Sequence, residues 1–247
     1  MQLGGTRRVV IQLAPDFAPA HVANIRTMAK ATWWNGASVY RVQDNYVAQW
    51  GQGEAEKPFP SGVVERPAHE YWRKLQGLAP RPLGSPDAYA PAAGFWRGWP
   101  VAYNRQQGWA TLPHCYGYVG VARGLAPDTG SGGELYAIIG HAPRQLDRNI
   151  AVVGRVIEGI EHLSSLPRGT EALGFYKEPK QFTAIASVRL ASELPPAERP
   201  SFQYLDTSGA TFGRYLQLRG NRQDHFYRVA AGGVDLCNVG VPVRKTP

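Results

Sequence analysis

Residues 39–50, VYRVQDNYVAQW, alternate apolar and polar side chains over two short runs joined at Asp44-Asn45. A period of two belongs to a strand with one buried face, and an Asp-Asn pair suits the tight turn of a hairpin. The chain is thereby committed to antiparallel β-structure at this point. Arg41 and Gln49 fall inside the pattern, evenly spaced with its apolar positions. Two readings are open from these residues alone: an ordinary exposed pair on a sheet, or a guanidinium and an amide placed there for chemistry.

The flanks extend the β reading. Residues 7–13 are rich in β-branched side chains and read as a strand. Asp16 and Pro19 mark a helix start, and Val22, Ile25, Met28 and Ala29 recur at helical spacing. The stretch Trp33 to Gly36 closes that helix. Strands are expected at about 38–43, 46–52, 116–122, 134–139 and 151–156, then a short helix at 156–166 and a last strand near 182–191. Residues 53–115 hold many of the prolines together with Trp72, Trp96, Trp99 and Trp109. They read as an ordered insertion with little periodicity, its aromatics packed onto the domain. Pro195, Pro196 and Pro200 separate a C-terminal extension, 192–247, in which Phe212, Tyr215, Leu216 and Arg219 suggest an amphipathic helix ending at Gly220-Asn221.

Several functions are excluded or unsupported. No apolar run is long enough to cross a bilayer. The net charge is +8 over 247 residues, but Lys and Arg are scattered, which names no acidic partner. The run Gly130 to Gly133 lacks the Lys-Ser/Thr ending of a phosphate loop and reads as a turn. Six histidines show no metal-binding spacing, and no GxSxG elbow occurs. Glu158 and Glu161 read as a solvated helix face. Cys115 and Cys237 are either two buried thiols or one disulfide. The opening MQLGGTRRVV has no apolar core of a signal peptide, and strand-like sequence from Arg7 is compatible with a chain trimmed of its leader.

The order of the blocks says more. After the hairpin come Gly117 to Ala122 (GYVGVA), Gly132 to Tyr136 (GGELY) and Leu146 to Gly159 (LDRNIAVVGRVIEG). This series resembles the cyclophilin family of peptidyl-prolyl isomerases over about residues 7–191. The most literal match is Leu146-Asp147 followed by Val153-Gly154-Arg155-Val156 and Glu158-Gly159. The resemblance implies a mainly β fold: an eight-stranded closed antiparallel β-barrel capped by two α-helices. It implies an isomerase domain over 1–191, interrupted by the 53–115 insertion, and an extension over 192–247 packing on the barrel.

The implied chemistry explains the hairpin. Rotation about an X-Pro bond meets a barrier of about 18–20 kcal/mol set by amide resonance. In the twisted state the prolyl nitrogen gains a lone pair, and a guanidinium donating to it binds that state more strongly than the planar one. Arg41 is the implied donor, and Gln49 the residue that holds it and contacts substrate backbone. Tyr46, Val47, Tyr136 and Leu146 match the family's apolar pocket, and Ala122, Arg123 and Gly124 its backbone-binding segment. No metal or cofactor is needed. Partners would be proline-containing peptides and unfolded proteins, bound by a monomer, with no nucleic acid or membrane.

The chain departs from the family pattern at Glu134 (usually Gln), Tyr136 (usually Phe), Arg123 (usually Asn), Ile150 (often a groove His) and Gln145 (Trp in some members). The segment from Ala122 to Tyr136 is two residues longer than the family's. These departures imply weak cyclosporin binding and, with the insertion, support a competitor to catalysis: a barrel that only grips proline-containing partners; the basic balance and the tryptophans leave a third reading, a nucleic-acid binder. A Cys115–Cys237 disulfide would point to an oxidising compartment such as a bacterial periplasm; otherwise the expected localisation is cytoplasmic.

Overall fold

The hairpin lies within an eight-stranded antiparallel sheet in a computed structural model that describes residues 1–53 and 57–246. Residues 54–56 of the expected insertion, and residue 247, lie outside the described residues. The chain divides into two units, Met1–Tyr71 with His114–Arg199 and Trp72–Pro113 with Pro200–Pro247.

In chain order the first unit opens with β1 (Gln2–Leu3), β2 (Val10–Leu13), α1 (Pro19–Lys30), β3 (Ser38–Val42) and β4 (Val47–Gly51). The intervening stretch carries β5 (Arg73–Lys74), β6 (Arg81–Pro82), β7 (Ala92–Trp96), β8 (Trp99–Asn104) and β9 (Trp109–Thr111). The first unit resumes with β10 (Tyr118–Val121), β11 (Leu135–Ile138), β12 (Val152–Glu158), α2 (Glu161–Ser164) and β13 (Thr183–Ser187). The tail adds β14 (Phe202–Tyr204), α3 (Ala210–Asn221) and β15 (Val243–Lys245).

The large sheet runs β1-β13-β3-β4-β11-β10-β12-β2. It curls so that β1 meets the segment leading into β2: Gln2 bridges Arg8, and Met1 and Val9 exchange two backbone hydrogen bonds of 2.9 Å. This is the expected barrel-like architecture. Its interior is filled by Met28, Trp34, Val39, Trp50, Val119, Val153 and Ile185, as eight strands leave no open channel. Trp34 satisfies its indole by donating to Gly133 O at 2.9 Å.

Pro19 takes the first position of α1, where its missing N–H costs nothing. Asp16 is not the cap residue; that position is Ala18, which has no side-chain oxygen. The carboxylate comes instead from Glu70, which accepts from the N–H groups of Ala20 (2.8 Å) and His21 (3.0 Å) and from His21 Nδ1 (2.6 Å). Asn24 adds a second tie, exchanging hydrogen bonds with Val64 and donating to Ser131 O. The stretch 57–71 is thus clamped along α1.

Two expectations are corrected. The helix expected at 156–166 is a single turn, α2, because β12 continues to Glu158 and pairs with β2. Gly159 makes the break: its φ is +86°, and a Cβ there would overlap Arg8 O. Glu158 therefore leaves the sheet rather than a helix face, and meets Arg8 at 2.8 Å. The stretch after residue 71 is not irregular either. It forms a five-stranded sheet, β5-β9-β8-β7-β6. Its longest strands, AAGFW and WPVAYN, are buried nearly throughout, so no period of two shows in their sequence.

The tail completes that second unit. α3 lays Phe212 and Leu216 on Phe95 and Trp109, with Leu236 and Val239 beside them, and the Phe95 and Phe212 rings meet edge-on at 4.9 Å. Arg81 fixes the junction by donating to Thr207 O at 2.7 Å and to Ser208 O. Cys115 and Cys237 are both disulfide-bonded.

Candidate active site

Strict alternation puts residues 40 and 41 on opposite faces of a strand. The register of β3 on β4 is broken at this place: Val39 pairs with Trp50 and Arg41 with Gln49. Tyr40 is the extra residue of a bulge, and bulges re-aim side chains. The result is that Tyr40 and Arg41 both reach Gln49. Arg41 Nη1 donates to Gln49 Oε1 at 2.8 Å, and Gln49 Nε2 donates to the Tyr40 hydroxyl at 2.5 Å.

The Arg41 guanidinium is held on two further sides. Its Nη2 donates to Gln43 Oε1 at 2.6 Å and its Nε to Leu173 O at 2.7 Å. Leu173 has φ +60°, the left-handed region that a leucine enters at a cost of about 1 kcal/mol. Gly174 follows with φ +79°, and a Cβ on it would overlap Gln43, so only glycine passes there. Phe175 then bridges Arg41 backbone to backbone, lies 5.3 Å under the guanidinium and stacks on Tyr40 at 6.0 Å. Tyr46 closes the other flank at 6.0 Å.

A guanidinium has five N–H groups, and these bonds use three. Two remain for a ligand among the described residues. Burial lowers the Arg41 pKa from its ordinary value, and the neighbouring Tyr46, Tyr40 and Tyr136 oppose that shift. An arginine remains charged throughout the physiological range.

Glu134 does not meet Arg41 directly. It directly precedes β11, and its Oε2 accepts from the Tyr40 hydroxyl at 2.7 Å while Oε1 accepts from the N–H groups of Gln52 (2.8 Å) and Gly53 (3.1 Å). Burial pushes the Glu134 pKa up. Burial, then the Glu134 charge, pushes Tyr40 far up, so Tyr40 stays a neutral donor.

Tyr136 sits opposite Gln49 in the β11–β4 register, with Val47 opposite Ile138. Its hydroxyl is turned toward His114 Nε2 at 3.1 Å, beneath Gly120, whose position no Cβ could share. His114 is fully buried and its Nδ1 lies 2.9 Å from Asp147 Oδ1; Asp147 in turn pairs with buried Arg144. The polar atom of Tyr136 is thus consumed within the protein. Burial, with Tyr46 and Asp147, holds Tyr136 un-ionised.

The other expected residues arrange around this centre. Leu146 is half-buried in the turn whose next residue, Asp147, anchors His114. Arg123 covers the Tyr71 ring and donates to Gly124 O at 2.7 Å and to Asn149 O at 3.0 Å; Asn149 directly precedes half-buried Ile150. Ala122 N–H donates to Glu134 O. Gly124 is tied into its own loop by Asp128 at 2.6 Å. Arg41, Gln49 and Tyr46, with Glu134 joined through Tyr40, form one connected cluster; Tyr136 lies beside it in the strand register but bonds to His114, and Gly124 does not join it.

No local signal marks the roles of Tyr40, Gln43, Phe175 or His114, and Asp147 shows only as part of the Leu146–Gly159 block. Tyr40 lies in the hairpin, but strict alternation puts it on the face opposite Arg41. Phe175 and Leu173 lie more than 130 positions from Arg41 and carry no local signal.

A curled eight-stranded antiparallel sheet bearing this Arg–Gln pair defines a cyclophilin-like β-barrel protein. A family model, "Cyclophilin type peptidyl-prolyl cis-trans isomerase/CLD", matches residues 1–190. Probable peptidyl-prolyl cis-trans isomerases of Brucella suis biovar 1 and Brucella melitensis biotype 1 are each 25% identical over 167 residues, 66% of this chain and 68% of theirs. The crystal structure of the cyclophilin AquaCyp293 from Hirschia baltica has a similar fold: TM-score 0.74 at 24% identity, covering 96% of this chain and 86% of that one. The chain belongs to the cyclophilin-type peptidyl-prolyl cis-trans isomerase family.

Proposed function

We propose that this isomerase rotates X-Pro bonds in peptides and unfolded proteins with Arg41 as the catalytic donor and Gln49 as its anchor. The observation that carries the reading is the Arg41 guanidinium itself. It is charged, clamped on three sides by Gln49, Gln43 and Leu173 O, and among the described residues still holds two N–H groups for a ligand. A fixed donor of this kind costs no reorganisation when the prolyl nitrogen becomes pyramidal, and its bond is stronger in that state than in the planar amide. Arg suits the task because its planar fork is rigid.

The proline ring would rest on Tyr46, Val47, Tyr136, Leu146 and Ile150. The Tyr136 ring can serve as Phe would, since its hydroxyl is spent on His114. Ala122, Arg123 and Gly124 would meet the substrate backbone. The disulfide-bonded cysteines support an oxidising compartment, and we assign the protein to the bacterial periplasm on that ground. NMR exchange on a short Ala-Pro peptide tests the activity. Catalysis by the native protein that disappears in Arg41→Ala is expected. Peptide binding without turnover would leave a protein that grips proline-containing partners and does not isomerise them.

A further inference from the structure

An amide side chain has two ends of opposite polarity and nearly equal shape, so a half-turn about its last bond exchanges donor and acceptor. Gln49 works toward Arg41 only with its oxygen on the guanidinium; inverted, it sets donors against donors. We propose that Tyr40 and Glu134 are positioning residues that fix the polarity of the Gln49 amide and so keep the Arg41 donor aimed. This rests on the reading of Arg41 as the donor to the prolyl nitrogen.

The argument runs from the carboxylate outward. Ionised Glu134 can only accept. Its Oε1 is filled by the Gln52 and Gly53 N–H groups, and its Oε2 takes the Tyr40 hydroxyl. That hydroxyl has one hydrogen, which is thereby spent. What it presents to Gln49 is a lone pair, and only the Nε2 end of the amide can answer, at 2.5 Å. Oε1 must then face Arg41, as it does at 2.8 Å. Direction passes through four side chains without a break.

The placement of each member serves this path. The bulge brings Tyr40 onto the face of Gln49. The Phe175 ring holds the Tyr40 ring from the side. Gly51 leaves the space the Glu134 carboxylate fills. A glutamine at 134 would not enforce the direction, because its own Nε2 can donate to Tyr40. The hydroxyl hydrogen is then released toward Gln49, and both amide orientations become satisfiable. The second buried chain, Tyr136–His114–Asp147–Arg144, ends on a different guanidinium and does not set Arg41.

The test compares the full chain with Glu134→Gln, Tyr40→Phe and the double variant. Two quantities are read: kcat and KM on an Ala-Pro peptide, and the side-chain NMR resonances of Gln49 (its NH2 pair) and Arg41 (Nε–H). We expect kcat to fall about tenfold in each single variant, with KM little changed, and the double variant to be no worse than the singles. The Gln49 pair should lose its fixed, protected signature in all three. Unchanged kcat and unchanged Gln49 and Arg41 resonances in both single variants overturn the proposal, as do losses that multiply in the double. Should the native protein show no turnover, the isomerase reading fails separately. The resonances then decide alone: a shift in Glu134→Gln upholds the relay, and none overturns it. Should Tyr40→Phe fail to fold, Glu134→Gln carries the same two readouts.

Discussion

Glu134 folds its carboxylate into the space above Gly51, where a Cβ would overlap all three carboxyl atoms. The two residues are neighbours across paired strands: Gly51 ends β4, and Glu134 directly precedes β11, whose Leu135 pairs with Trp50. An acidic side chain where the family resemblance has an amide is therefore built in, with a glycine opposite to receive it and two backbone N–H groups to hold it.

Gly51→Ala should displace that carboxylate while leaving Glu134 in the sequence. Because the clash falls on the end of a flexible side chain, the fold survives. The kcat loss should match that of Glu134→Gln, read on the same peptide. A Gly51→Ala protein with native kcat would show that the carboxylate's position does not matter.

Arg41→Lys should be nearly as damaging as Arg41→Ala. An ammonium cannot reach Gln49, Gln43 and Leu173 O together in one plane and still face a ligand. Loss of an electrostatic donor of this kind costs about 10²–10³-fold in kcat. Retention of more than half of native kcat/KM by the lysine variant would contradict the role of the fork.

Asp147→Ala takes the carboxylate from beside Arg144, which is 4% exposed. Removing one partner of a buried pair costs about 3–5 kcal/mol of stability. Tyr136→Phe should cost less, about 1–3 kcal/mol, by depriving His114 Nε2 of its partner. Its turnover should stay near native, because the ring remains. Urea denaturation of both variants checks the order of the two losses, and kinetics on Tyr136→Phe checks the ring.

Glu134 has a folded-state pKa raised above the ordinary 4.5 by burial. The folded chain then binds that proton more tightly than the unfolded one, so this group's contribution falls as pH rises from about 4.5 through its folded value. Once ionised, the group is a cost. Glu134→Gln should therefore gain stability relative to the native protein between about pH 4 and pH 7, even as it loses kcat. Denaturation at the two pH values measures the gap. A gap that is equal at both, or wider at the lower pH, would refute the assignment.

Both cysteines are disulfide-bonded, so alkylation of the unfolded, unreduced protein should add no mass, and reduction first should add two adducts. One or two adducts without reductant would remove the support for an oxidising compartment.

Much of this protein is written locally. The hairpin with its turn at Asp44-Asn45, α1 from Pro19, and α3 ending at Gly220-Asn221 follow from periodicity, because each buries a single face against one neighbour. Arg41 and Gln49 were visible as polar residues inside that hairpin, and the ordered blocks around them carried the family resemblance. Strands of the second unit were not visible, since burial on both sides erases alternation. Nor was the association of residues 72–113 with the tail, which brings Phe95 to Phe212. The bulge at Tyr40 was equally hidden: a register shift depends on how two strands pair, not on what either contains. Residue types and their order name Arg41 and Gln49 as the candidate pair. Their aim follows from strand pairing that no local stretch encodes. A hydrogen-bond direction through Glu134, Tyr40, Gln49 and Arg41 exists only once strands far apart in the chain set donor against acceptor.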